Sequence, residues 1–494
     1  MARITIDNID LLDVSIGNFK VWQIRVGILI LLLNIVVISN KIGSEFLIPP
    51  TELLCKPQAK GYNKPFFDYA SCFLQRKEKV KDRIQNSAND CDKSAIHTSV
   101  LHEWNLLDKK EEFSNWLQIL ITTGTGIGSA LFGRIADLYG RHQTIVLLIV
   151  LQSFCGIILV VQSSYVGFLS LNMIGSIFIG GLSVSAWVMG IEVISKSFRT
   201  YFSAFYNIIF GLTCIIFAEL GCYLIRWREF QLVLAAISIL YLSYFWLLSE
   251  SPRWLVVNDR RNEAIRVLKN AASPSDINQS TVDEMCNVYK EETVSAFDVF
   301  TNPQLTPRTI ILSSLWLILG LLWKGLFQFV GKDFNNPYDF ALIQGVFVLC
   351  AAVLCALMGY SCGRNLQCSV GVFFTAICYF AIYTISDSWS NFILSQLGFL
   401  CLSVTIPSLW VFTSELYPTN LRCTGVGFTV MFFQVGIILA PIITFLTTLT
   451  WLLPFLLFAM LVVLYCYLQM HLTDMKDENL PNIISDTVGE YTPF

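Results

Sequence analysis

Long apolar runs alternate with short polar breaks along most of the chain. A helix needs ~20 apolar residues to cross a ~30 Å hydrocarbon core. Runs of about that length start near residues 21, 114, 143, 166, 202, 230, 309, 339, 367, 390, 423 and 450, which predicts twelve spanning helices. Gly and Asn interrupt the run between Tyr165 and Gly190, a pattern tolerated where a helix faces protein rather than lipid. Two polar stretches stand outside the pattern: a loop over 47–113 and a linker over 250–307. Within the linker, Ala264, Ile265, Val267, Leu268 and Ala271 recur at roughly helical spacing, which predicts an amphipathic helix.

The pattern also repeats. Glu192 and Arg199 recur as Glu415 and Arg422, and Gly140-Arg141 recurs as Gly363-Arg364, all at an offset of 223 residues. Each Glu-x6-Arg box follows an apolar run, and each Gly-Arg pair lies between two. A duplicated half built from membrane spans is the mark of a carrier whose site lies between pseudo-symmetric bundles. The expected fold is therefore an all-α membrane protein of twelve transmembrane helices. Six fall in 21–249 and six in 308–470, with 1–20 and 471–494 as terminal segments.

Composition agrees. Of 494 residues, 54% are hydrophobic and 14% charged, and the mean hydropathy is +0.60; a soluble chain of this length would carry a larger polar coat. The first twenty residues contain Asp7, Asp10 and Asp13 and no apolar core, so the first long run is expected to be a span rather than a signal peptide. Arg134, Arg141, Lys196, Arg199, Arg364, Arg422 and the basic stretch 253–269 fall in even-numbered loops, which predicts that those loops and both termini are cytoplasmic. The opposing short loops carry fewer, mainly Arg226, Arg228 and Lys332. The net charge of −3 says nothing useful about partners.

Of fifteen cysteines, Cys55, Cys72 and Cys91 lie in the large outer loop, where a disulfide can form. One bond plus a free thiol, or a bond to Cys222, are both open. His97, His102, His142 and His471 are scattered, so no metal site is expected. The sequon at Asn278 falls in the linker, expected to be cytoplasmic and unmodified. The run 122–130, TTGTGIGSA, superficially resembles a phosphate loop but lies inside an apolar span and lacks the Gly-Lys-Ser/Thr ending; close helix packing is the better reading. No Walker A, HExxH or GxSxG pattern occurs, which disfavours a nucleotide-driven pump and a hydrolase. No cofactor and no nucleic-acid partner are expected.

The loop after the second span reads Gly133…Asp137…Gly140-Arg141. A glycine at a span end admits close helix approach. Asp137 can then meet a neighbouring helix N-terminus or a basic side chain. This loop resembles the signature of the major facilitator superfamily. Glu250-Ser-Pro-Arg253-Trp-Leu and Glu415-Leu-Tyr-Pro-Thr narrow the resemblance, and sugar transporters share close versions of both. Glu103-Trp-Asn-Leu-Leu-Asp108 and the pattern Gly17, Phe19 and Gln23 instead resemble the organic cation/anion/zwitterion transporter family. That resemblance covers nearly the whole chain. It implies a plasma-membrane solute carrier working by alternating access on small charged organic solutes, with Asp137, Arg141, Glu192, Arg199, Glu415 and Arg422 as an inner gate supported by Gly133, Gly140, Glu250 and Arg253.

The departures are specific. Tyr360 stands where the family has an acidic residue, His142 and Gln143 replace expected basic residues, and Leu171 or Asn172 stands near the place of an expected arginine. The outer loop lacks the cysteine usually found just before Asp108.

The resemblance also points to a binding pocket. Gln434, two before Gly436, occupies a position where cation carriers have Asp and anion carriers Arg; it lies ~18 Å up its helix from Arg422. Trp187 occupies an aromatic position at matching depth, and its ring either stacks on a solute or simply packs. Trp323 and Lys324 stand where the family has a pair of tyrosines, and Phe433 is near. Lys324 lies ~24 Å from Arg308. A lysine in a span costs ~2.5–3.5 kcal/mol, so it either snorkels to the surface or faces the central cavity as counter-charge to an anionic group. As the one strong candidate charge at depth, it tilts the expectation towards carboxylate-bearing solutes. Glu219 is a weaker candidate for neutralising it or for acting as a proton site. The alternatives are a non-transporting membrane sensor on the same fold, suggested by the losses at Tyr360 and in the fourth span, and a sugar-type carrier.

Overall fold

In a computed structural model of the chain, the described residues are 21–47, 100–271, 295–330, 337–446 and 450–484, apart from a few single positions and the stretch 107–109, together with Asp283 and Cys286. Twelve helices among them are long and apolar enough to cross a membrane. The first six are α1 (Val21–Phe46), α2 (Lys110–Tyr139), α3 (Arg141–Val161), α4 (Tyr165–Val193), α5 (Arg199–Tyr223) and α6 (Trp227–Leu240). The second six are α7 (Leu305–Val330), α8 (Pro337–Ser361), α9 (Arg364–Thr384), α10 (Ser388–Leu416), α11 (Arg422–Phe445) and α12 (Leu453–Met470). Every start lies within about four residues of its sequence expectation. The Gly- and Asn-interrupted run is one continuous helix, α4. Cys55, Cys72, Cys91, Gly17, Phe19, Asp108, Asn278 and Lys332 lie outside the described residues.

The two halves pack alike. In the first, α2 and α3 lie on α4, α1 on α5 and α6 on α3; in the second, α8 and α9 lie on α10, α7 on α11 and α12 on α9. The bundles meet along α2–α11 and α5–α8, two contacts that the same pseudo-symmetry interchanges. Burial follows from this arrangement. The apolar window of α4 is 78% buried and that of α7 72%, whereas α6 and α12, at the flanks, are 33% buried. Exposed Trp246, on the turn that continues α6 to Leu247, and Val463 and Met470 of α12 present an apolar belt of the kind that lipid covers.

Without a hydrophobic drive inside lipid, helices associate through close packing at small residues. The TTGTGIGSA run does this: a Cβ on Gly128 would sit 1.9 Å from the Ile177 carbonyl oxygen of α4. The linker forms a short helix over Pro252–Val257, with Ser251 as its N-cap and proline in the first turn, and an amphipathic helix over Arg261–Ala271. Ala264, Ile265, Leu268 and Ala271 of the latter pack on Trp254 and Leu255. At the opposite end, Glu103 pairs with Arg228 and accepts from Trp227 Nε1 at 2.9 Å, while Trp104 donates to the Ser163 carbonyl at 2.8 Å. This part of the outer-loop motif ties α6 to the α3–α4 turn. Gln23 donates to the Val193 carbonyl at 3.1 Å and so closes the end of α4.

Candidate functional site

Where α2, α4, α8 and α10 finish and α3, α5, α9 and α11 begin, the bundles are joined by buried charge. Glu192 Oε1 accepts from Arg141 Nη2 at 3.0 Å and from Arg422 Nη1 at 3.0 Å. Glu415 Oε1 lies 3.2 Å from Arg364 Nη2 and 3.7 Å from Arg199 Nη1. Each glutamate thus holds the Gly-Arg arginine of its own half and the box arginine of the other half. The repeated motif reads as a reciprocal exchange across the pseudo-two-fold axis. All six side chains are at most 3% exposed, and breaking such a buried pair by removing one partner costs ~3–5 kcal/mol.

Asp137 adds a one-sided latch. Its carboxylate accepts from the backbone N–H of Cys423 (3.2 Å) and Thr424 (2.7 Å) and from Thr424 Oγ1 (2.7 Å) at the positive end of α11, and pairs with Arg141 Nη2 at 3.1 Å. Gly133, one turn earlier, lets α2 touch α11: a Cβ there would lie 2.3 Å from the Cys423 carbonyl oxygen. Gly133→Ala is therefore expected to hold this end apart, read as thiol labelling of native Cys423, which is 0% exposed here. A Cys423 as protected as in wild type would refute that.

Glu250 caps α3, accepting from the N–H groups of Arg141 (3.0 Å), His142 (3.1 Å) and Ser251 (2.9 Å). Burial pushes its carboxyl above the ordinary range, opposed by the Ser251 N–H and the Arg141 charge. Gly140, at φ 114°, makes room: a Cβ would be 2.3 Å from Glu250 Oε2. Arg253 Nε donates to the Glu192 carbonyl at 3.2 Å, and Trp254 Nε1 to that of Asp137 at 2.8 Å.

The second half repeats this cap but not the latch. Asp474, past α12, accepts from Asn365 N at 3.4 Å at the start of α9, as Glu250 does at the start of α3. Tyr360, at the place of a second latch carboxylate, is 79% exposed. A different element ties that side. The segment after α12, expected as a plain tail, runs across the gate over 471–484 as a strap. Arg199 Nη1 donates to the Glu478 carbonyl (3.2 Å) and Arg422 Nη2 to that of Pro481 (2.9 Å), which also accepts from Thr419 N (3.1 Å). Met475 packs in the second bundle's core and Leu480, 3% exposed, in the first's.

Beyond the gate, the bundles enclose a cavity of about 220 Å³ that extends from Trp410 and Gln434 towards the opposite end. Trp323, Lys324, Phe433 and Gln434 all line it, with Tyr206, Phe210, Trp316, Gln118 and Lys41. Lys324 Nζ donates to Gln118 Oε1 of α2 at 2.8 Å, across the bundle interface. Snorkelling to the surface is thereby set aside. Trp187 does not line the cavity. It is 2% exposed, and its ring packs against Trp410, Phe202 and Tyr206 at centroid distances of 5.4, 5.3 and 5.3 Å, so it supports the cavity floor. Glu219 is half-buried and is not part of the lining.

Three features were not anticipated from the sequence. Trp410, on the floor, lies 223 residues after Trp187, so the repeat itself could have flagged it. Lys41 near the end of α1 makes Lys324 one of two cations in the lining, correcting the expectation of a single deep charge; the only sequence signal was a lysine inside an apolar window. The strap left no local signal.

A model described as Major Facilitator Superfamily matches residues 107–441. The organic cation transporter protein of Drosophila melanogaster is 24% identical to this chain, over 95% of it and 93% of the relative. Human solute carrier family 22 member 2 is 25% identical over 80% of this chain and 73% of its own. Among solved structures, the proton:xylose symporter XylE superposes with a TM-score of 0.68 at 16% identity, covering 93% of this chain and 98% of that one. The human organic anion transporter MFSD10 superposes at 0.62 with 14% identity, covering 90% and 99%. Both structural likenesses concern the fold.

Proposed function

The chain belongs to the Major Facilitator Superfamily, and on that footing we propose that it carries small organic ions across the plasma membrane by alternating access. The gate end, where the basic loops gather, faces the cytoplasm together with both termini. The substrate is an organic anion or a zwitterion bearing a carboxylate. The observation that carries this is Lys324, which lines the inter-bundle cavity together with Lys41 and donates to Gln118 of the other bundle. A substrate anion at ~4 Å would gain ~4 kcal/mol at an effective dielectric of ~20. A hydrogen bond from a charged donor to a neutral amide is worth ~1.5–3 kcal/mol. An anion drawn to Lys324 sits beside its bond to Gln118, so binding is linked to a contact between the bundles. At 220 Å³ the cavity is smaller than the ~300–1,000 Å³ of drug-sized pockets, which suits a small solute.

The relative from the fly is named for cations, so the test must separate charge classes. Uptake of a labelled aromatic anion, cation and zwitterion by cells expressing wild type or Lys324→Ala decides it. Anion or zwitterion uptake is expected to fall at least tenfold in the variant at equal surface level. Cation uptake that ignores the substitution, with no anion uptake, would sink the reading. The sensor alternative rested partly on Tyr360; the strap supplies a cross-bundle tie on that side, and saturable flux of any probe excludes a non-transporting role.

A further inference from the structure

Near the gate end of α1, Ile24 and Ile28 stand one turn apart on the same face, with Gly27 beside them. On the start of α5 and the turn before it, Phe198, Tyr201 and Phe205 recur at helical spacing. The two rows wall an open apolar groove of about 420 Å³ on the outside of the first bundle. Gly27 makes it a groove by contributing no side chain; a Cβ there would lie 3.6 Å from Ile194 Cδ1. The rings are braced, Phe198 and Tyr201 standing 6.0 Å apart between centroids. At the mouth, Ile28 and Phe205 are 51% and 53% exposed, although both belong to membrane spans.

Two cations border this groove. Arg25 is exposed and lies three residues before Ile28, which makes the two neighbours on the surface of α1. Lys196 is partly exposed and falls between Ile194 and Phe198, both in the groove wall. Neither Arg25 nor Lys196 has an ion pair or hydrogen bond to another part of the chain. Arg25 stands within the first span, Val21–Ser44. A charged side chain so placed needs a partner, or a route along its own stem to the headgroup layer.

We infer that the groove and its basic rim bind an anionic phospholipid, with an acyl chain laid against the rings and the headgroup phosphate on Arg25. A guanidinium presents its donors in a planar fork that matches a phosphate bidentately. A zwitterionic lipid offers the same phosphate but brings a cation of its own, which Arg25 and Lys196 together disfavour. Each basic residue near an anionic lipid surface contributes about fivefold in binding. A free phosphate would leave the apolar groove unfilled, so the lipid is the occupant that uses both features. The cytoplasmic leaflet is the anionic one, and the placement of the site there rests on the orientation proposed above; the site itself does not. The stretch from Ile194 to Phe198 joins Glu192 to Arg199, so the bound lipid touches the segment that carries both box residues of the first half.

The test is photo-crosslinking of the full chain in phosphatidylcholine nanodiscs. The discs carry, at equal low mole fraction, phosphatidylserine or phosphatidylcholine with the same diazirine-bearing acyl chain, and labelled peptides are mapped by mass spectrometry. Peptides containing Ile24 to Ile28 and Phe198 to Phe205 are expected to take at least fivefold more label from the serine lipid than from the choline lipid. The double variant Arg25→Gln, Lys196→Gln should bring that ratio to within about twofold. Its labelling by the choline lipid should match wild type, which shows that the groove is still folded. Equal labelling of wild type by the two lipids overturns the site, because the groove then holds bulk lipid. Serine-lipid label spread evenly over the exposed faces of α3, α6, α9 and α12 overturns it as well. A ratio retained in the double variant overturns the part assigned to Arg25 and Lys196. Discs present both lipids on both faces and no uptake is read, so a failure of the orientation or of the transport reading leaves this result unaffected.

Discussion

Asp137→Asn is expected to lower uptake at least tenfold while leaving surface expression intact, and to expose Cys423 to thiol reagents. The carboxylate serves four donors at once: two backbone N–H groups and a hydroxyl at the start of α11, and the guanidinium of Arg141. An asparagine keeps the shape but has one acceptor oxygen and turns an NH₂ towards donors. The loss of one or two of the charge-assisted bonds to α11, ~1.5–3 kcal/mol each, falls on the closed-gate state, whereas the Arg141 pair lies within the first bundle. At 1.4 kcal/mol per tenfold, the gate equilibrium moves by roughly 10- to 100-fold or more towards open. Cys423 is fully buried beside Asp137 in this conformation, so its alkylation, mapped by mass spectrometry, reports the shift directly. Lost uptake with Cys423 still protected would mean that Asp137 acts in something other than holding this gate.

The second large effect is expected at the strap. Leu480→Ala, or a stop at residue 478, should also expose Cys423 and slow the return to the closed gate. Leu480 belongs to the buried apolar cluster of the first bundle, although its chain comes from the end of the second. Truncating a buried leucine to alanine costs ~2–5 kcal/mol, and here the burial exists only while the bundles are together. The stop at 478 additionally removes the carbonyls that accept from Arg199 and Arg422. The effect should be thirtyfold or more in the labelling rate of Cys423. A change confined to protein yield, with labelling unaltered, would make the strap a folding element and not a latch. The comparison with Asp137→Asn is informative, since the latch from α2 and the strap from beyond α12 both hold the start of α11. Combining them should add less than fully, because Asp137 and Pro481 are joined through Arg141, Glu192 and Arg422.

Much of this gate was legible in the sequence because charged residues beside membrane spans are rare and its motifs are duplicated. Glu192, Arg199, Glu415 and Arg422 could be singled out from spacing alone. Their partners could not: that each glutamate reaches the arginine of the other half depends on how two bundles face each other. The cavity was legible in part. Lys324 stands out in any apolar helix, but whether it snorkels or faces inward is a rotation about the helix axis, which hydropathy does not encode. Trp187 illustrates the reverse error. Its ring packs on Trp410 of the other half, and it is Trp410 that lines the cavity.

What the chain determined by itself is therefore its twelve spans, their division into two like halves and the charged residues that pair where the halves meet. These follow from length, apolar content and local spacing, all of which act between neighbours along one dimension. What only the tertiary structure decided is the meeting of Asp137 with Thr424, 287 positions away, of Lys324 with Gln118, 206 positions away, and of Arg422 with Pro481, 59 positions away. Side chains so far apart in sequence come together through the docking of one bundle on the other, and that docking depends on surface shape across α2–α11 and α5–α8.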